Sequence, residues 1–168
     1  MRNSRIGLTL LMVIAGSPAV CAGEPDAASV NKNQPDQRVM VVKTPAEILT
    51  RQKLPNFVGI SGKTVGARGL SMNLVIIPPG AKAEPHFHKG FESAVYVLKG
   101  RVETRYGTGL KESVITEAGD FLFIPPDVPH QPVNLSETES AQAIVVRNDP
   151  DEQEHVILYH SQQDVLNR

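Results

Sequence analysis

The chain has a single cysteine, Cys21, and little that could replace it in thiol chemistry. A leader ending at Ala22 removes it. Residues 23–168 then hold no disulfide, thiolate ligand or cysteine nucleophile. Charge of one sign is also missing: the formal net charge is −1 and the isoelectric point lies near 6.5. A nucleic-acid partner calls for a basic footprint, so none is expected. Long hydrophobic runs are absent too. The longest, Ile6 to Gly16, falls short of the roughly 20 residues a membrane helix needs. There is no phosphate-cradling glycine loop, dinucleotide fingerprint or serine–histidine–aspartate arrangement, which weighs against kinase, nicotinamide and hydrolase chemistry. No internal repeat is visible, so one domain is expected, not two.

The N-terminus has a character of its own. Arg2 and Arg5 precede the apolar run, and Val20-Cys21-Ala22 supplies small residues for cleavage. This is the pattern of a secretory signal peptide over residues 1–22, implying a periplasmic or secreted protein with no membrane attachment after cleavage. Ala19-Val20 before Cys21 fits a lipoprotein site poorly, and the two arginines are not adjacent. The exported protein is therefore expected to begin at Gly23. Intact-mass measurement should show the loss of 22 residues, and a full-length cytoplasmic chain or a lipid on Cys21 would contradict it.

Residues 23–37 are rich in Ala, Asp, Asn, Gln and Pro and are expected to form a disordered leader. Val39 to Val42 reads as a first strand. Thr44-Pro45-Ala46-Glu47 has a helix-start signature and predicts a short helix or turn near 45–51. Beyond it the chain is strand and turn, with strands expected at Leu70–Ile77, Ser93–Leu98, Arg101–Tyr106, Val114–Thr116, Phe121–Ile124, Ala141–Arg147 and His155–Tyr159. Strands at such intervals, punctuated by Gly and Pro, indicate an all-β sandwich or barrel over residues 38–161. The tail, 162–168, is polar and expected to fray.

Chemistry concentrates at His86-Phe87-His88, with Glu92 four residues on and His130 beyond. Three imidazoles and a carboxylate suit one borderline divalent ion: Fe, Mn, Zn, Ni or Co. In extended backbone His86 and His88 share a face, and Pro85 favours extension before them. Four such ligands leave open positions on a five- or six-coordinate ion, where ligands and reactions are accommodated. Carrying the same parity through Glu92 points Ala94, Tyr96 and Leu98 inward and Val95 and Val97 outward. Tyr96 thereby becomes a candidate catalytic hydroxyl, with a core aromatic as its ordinary reading. Outward valines suggest a homodimer. Arg147 could bind an anion at a strand end, but a solvated surface arginine is the default. Asn134 reads as a turn-fixing residue, and His155 and His160 as surface or edge residues.

These residues sit in two longer patterns, Gly80-x5-His86-x-His88-x3-Glu92 ending at Gly100, and Gly119-x5-Pro125-x-Asp127-x2-His130-x3-Asn134. Both resemble the motifs of the cupin superfamily. Two departures are visible. Seven residues, where six are usual, separate Glu92 from Gly100, and Asp127 stands where Gly is common. The resemblance implies a single small jelly-roll barrel, or double-stranded β-helix, with a metal between its sheets. It implies a metal-dependent enzyme on a small organic molecule, most readily an O₂-using oxidoreductase of dioxygenase type. Isomerase, lyase or decarboxylase chemistry by Lewis-acid polarisation uses the same ligands. A non-catalytic small-ligand binding or sensing protein is the other reading, because this fold carries many functions.

Overall fold

The computed structural model describes residues 38–43, 47–151, 153 and 155–160, all within the compact unit Asn33–Arg168. The expected leader, the Thr44-Pro45-Ala46 helix start and the tail lie outside the described residues. The described residues form eleven strands: β1 (Glu47–Leu49), β2 (Pro55–Ile60), β3 (Ser71–Ile77), β4 (His86–His88), β5 (Ser93–Lys99), β6 (Arg101–Tyr106), β7 (Glu112–Glu117), β8 (Phe121–Ile124), β9 (His130–Asn134), β10 (Ala141–Arg147) and β11 (Val156–Leu158). They form two antiparallel sheets, six-stranded β1-β2-β3-β10-β5-β8 and five-stranded β11-β4-β9-β6-β7. This is the jelly-roll sandwich expected. No helix among the described residues is long and apolar enough to cross a membrane.

Two N-terminal expectations are corrected. Val39 to Val42 is not a strand, and Val39 is almost fully exposed. Residues 47–49 pair with β2 in a strand, where a helix or turn was expected. The one α-helix among the described residues, α1 (Gly62–Val65), follows instead. Its N-cap Ser61 accepts from the Thr64 amide, while the Thr64 hydroxyl accepts from the Ser61 amide, a reciprocal cap built from two hydroxyls.

Sheet parity decides what faces the interior. On β5, Ser93 and Val97 are buried, whereas Ala94, Tyr96 and Leu98 are exposed. On β8, Leu122 and Ile124 line the interior cavity, while Phe121 and Phe123 lie outside. Tyr96 stacks on Phe121 across the outer face, ring centroids 4.8 Å apart. The expectation that Val95 and Val97 face outward is therefore reversed. The apolar outer surface of this sheet belongs to Tyr96, Leu98, Phe121 and Phe123.

At one end of the sandwich Leu54, Ile77, Ala83, Val102 and Ala141 pack into the core. Asn134 ties that end together. Its Nδ2 donates to the carbonyls of Ile77, Pro78 and Glu139 at 3.0, 3.0 and 2.7 Å, and its Oδ1 accepts from Ser136 N. This is the turn-fixing role read from the sequence. Gly100 turns β5 into β6 at φ +89, and a Cβ there would stand 2.8 Å from the Ala141 Cβ. Both the backbone and the close approach require glycine.

Candidate metal centre

β4 carries His86 and His88 on its inner face, and His86 lies directly opposite His130 on β9. All three rings are buried. Their ligand atoms lie within 4.8 Å of one another. Centroids of His86 and His130 are 4.3 Å apart. The His86 and His130 Nδ1 atoms lie 2.8 and 2.9 Å from the carbonyls of Glu84 and Val128, each two residues upstream. A carbonyl only accepts, so each Nδ1 carries the proton and each Nε2 keeps its lone pair. Such backbone contacts fix tautomer and ring orientation for ligation.

Burial keeps these rings neutral. It pushes His86 down to about 3, with the neighbouring His130 adding to the effect. It pushes His130 down to about 4 against the opposing Val128 hydrogen bond. His88 is lowered furthest, by burial first and then by the Arg147 charge. Neutral imidazole is the form that binds a metal. The three histidines could thus hold a divalent ion, and the donor set fits one.

The two motif turns are locked together beside this cluster. Asp127 adopts φ +61, the left-handed backbone that Asp tolerates. Its amide donates to the His88 carbonyl at 3.1 Å, and its Oδ1 accepts from Gly90 N at 3.0 Å. Substitution of the more usual Gly at this position therefore adds a link and removes no ligand.

The structure brings together His86, His88 and His130, and not Glu92 or Tyr96. Glu92 is exposed on the turn before β5, and its amide donates to Asn148 Oδ1 at 3.0 Å. Tyr96, 38% exposed on the outer face, does not line the cavity. Both corrections have one cause. Lys89–Glu92 is a turn, with Gly90 at φ +76, so strand parity cannot be counted through it. Six residues, the usual spacing, separate Ser93 from Gly100, and it is Ser93 that points inward.

Arg147, expected at the surface, is instead 7% exposed. It sits on β10 opposite Ser71 on β3 and Ser93 on β5. Its Nε donates to Ser93 Oγ at 3.0 Å and its Nη2 to His88 Nε2 at 3.0 Å. The guanidinium therefore bridges the two sheets beside the histidines. An ion recruiting His88 through Nε2 must displace that hydrogen bond. A cavity of about 100 Å³ extends between the sheets from this cluster. Val95, Val97, Leu122 and Val145 supply apolar wall, and Asn56, Asn73 and Gln52 supply polar wall. The three amides were not singled out from the sequence. Their only signal was polar residues in or beside β-rich runs.

Residues 73–147 match the family model described as Cupin domain. The chain is 35% identical over 77 residues to polyketide synthase CurC of Streptomyces cyaneus, covering 46% of this chain and 48% of that protein. It resembles the Cupin 2 conserved barrel domain protein of Salinispora arenicola with TM-score 0.55 and 23% identity, over 67% of this chain and 91% of that one. Bacillus subtilis oxalate decarboxylase, described with Mn(II) centres, aligns with TM-score 0.55 and 17% identity, over 69% of this chain and 30% of that one. At these identities the two structures speak to the fold. The chain spans about half the length of the curated relative, 48%.

Proposed function

We propose that this chain, whose residues 73–147 match the Cupin domain model, is an exported metal-dependent cupin enzyme acting on a small organic molecule, with oxidation by O₂ as its leading chemistry. The observation behind this reading is the set of three buried, neutral imidazoles at the head of a cavity of about 100 Å³. That volume accommodates a molecule of several heavy atoms, since a cavity site for one water needs only about 10–15 Å³ of such space. When bound, a divalent ion would supply Lewis-acid polarisation or an O₂-reactive centre. The chain's own part is to hold the rings neutral and oriented, to present Arg147 beside them, and to shield the reacting molecule within apolar walls.

A second reading is a binding or sensing protein, and the place of Tyr96 favours it. The one hydroxyl proposed for acid–base work lies on the outer face. The test is O₂ uptake by protein loaded in turn with Fe(II), Mn(II), Co(II), Ni(II) or Zn(II), against diols, diketones, phenols and small hydroxy acids. Mn(II) is included because it is the ion named for the oxalate decarboxylase. The enzyme reading expects uptake that is lost in His86→Ala. Saturable ligand binding without turnover of any panel member would leave the binding reading in its place.

A further inference from the structure

We propose that the cavity binds a small hydroxy acid, with its hydroxyls held by the amide oxygens of Gln52, Asn56 and Asn73 and its carboxylate directed toward Arg147 and the histidines. The proposal rests on the same cavity being the ligand site.

Asn56 and Asn73 are 3% and 4% exposed and Gln52 is 9% exposed. Their Oδ1, Oδ1 and Oε1 atoms are buried without a hydrogen-bond partner, and all three residues line the cavity. A buried unsatisfied acceptor loses its hydration with no return, so three beside one cavity are a costly arrangement for holding the fold alone. They are also neighbours. Asn73 on β3 faces Val58 on β2, and Asn56 lies one two-residue step away, opposite Val75. Gln52 lies in the connection that leads from β1 into β2.

This acceptor pole has a donor pole beside it. Asn73 is opposite Val145, and Arg147 is one two-residue step further along the same strand. Such a step spans about 7 Å. At that end Arg147 Nη2 now donates to a neutral ring, His88 Nε2. A carboxylate is the stronger acceptor for a guanidinium, so a ligand carboxylate would draw that donor and release the His88 lone pair to join His86 and His130. A molecule offering donors at one end and an anion at the other matches both poles. Hydroxyls suit the amides in either amide orientation, because they donate and accept. A hydroxylated three-carbon acid is small enough for the volume.

The experiment compares D-glycerate, L-glycerate and propionate, which share three carbons and a carboxylate and differ in two hydroxyls. Binding is measured by calorimetry on the full folded chain, with and without bound metal. At least one glycerate enantiomer is expected to bind tenfold or more tightly than propionate. Asn73→Leu and Asn56→Leu should bring that ratio to within twofold. Arg147→Gln should weaken both acids tenfold or more and abolish any increase in metal affinity caused by glycerate. Equal binding of propionate and both glycerates to wild type would overturn the proposal, as would an unchanged ratio in both leucine variants. Arg147→Lys provides a folded cationic control should Arg147→Gln lose its cooperative melt. Because preference is also read on metal-free protein, a failure to bind metal counts against the proposed function without touching this result.

Discussion

Alanine at His86 or at His130 is expected to leave the purified protein with less than about a tenth of the wild-type divalent metal. Each ring is buried, neutral and aimed by its own Nδ1–carbonyl contact, so truncation removes one of three directed nitrogen donors. Perturbing even the outer partners of metal ligands typically costs 10–100-fold in affinity, and loss of a ligand should cost more. The stability consequence is large. Metal bound to the native state alone contributes about 4 kcal/mol at a thousandfold excess over Kd. A chelator should therefore lower the wild-type melting temperature by roughly 10 °C and leave the alanine variants where they were. Glu92→Ala should keep full metal content, because Glu92 is exposed on its turn. Retention of metal by both histidine variants would remove the site. Loss of metal in Glu92→Ala would restore the carboxylate as a fourth ligand and show that the Lys89–Glu92 turn folds inward when the ion arrives.

The contrast between His86/His88 and Glu92/Tyr96 shows where sequence reading works. The two histidines are two residues apart within one strand, so their shared face is a local property of extended backbone. The inference to Glu92 and Tyr96 crossed a turn, and one residue of misregister exchanged every inward and outward position of β5. The spacing to Gly100 carried that information, since it marks Ser93 as the first inward residue. His130 was legible because its spacing from Gly119 and Asn134 fits one compact motif, and Asn134 because it closes that motif. Arg147 was not legible. Its burial depends on β10 pairing with β3 on one side and β5 on the other, strands distant in sequence. The amides of Asn56 and Asn73 became functional candidates only once the register placed them on the cavity wall. Near the N-terminus residues 47–49, expected in a short helix or turn, pair with β2 instead, a tertiary contact stronger than local propensity.

Acid should destabilise the metal-free protein steeply between about pH 6.5 and pH 4, and the histidine cluster sets the direction. The folded-state values of His86 and His130 lie at about 3 and 4, below the reference of about 6.5 expected in the unfolded chain. Within that window the unfolded state binds more protons than the native state, so stability rises with pH and is lost as pH falls. It is fully present above the unfolded value and continues to drain until the folded value is reached. The groups facing the cluster act in the same sense, because Arg147 is a fixed positive charge beside His88 and disfavours protonation there. Each buried ring contributes about 1.4 kcal/mol per pH unit, so the three together approach about 4 kcal/mol per unit at most. Urea unfolding of chelator-treated protein at pH 7.5, 6.5, 5.5 and 4.5 measures the slope directly. His130→Gln should reduce it by about 1.4 kcal/mol per unit, one proton fewer. Bound metal should steepen the acid loss, since protonation then also competes with the ion. Unfolding free energies that stay level from pH 6.5 to 4.5, or a His130→Gln slope equal to wild type, would mean that these rings are not held neutral by burial.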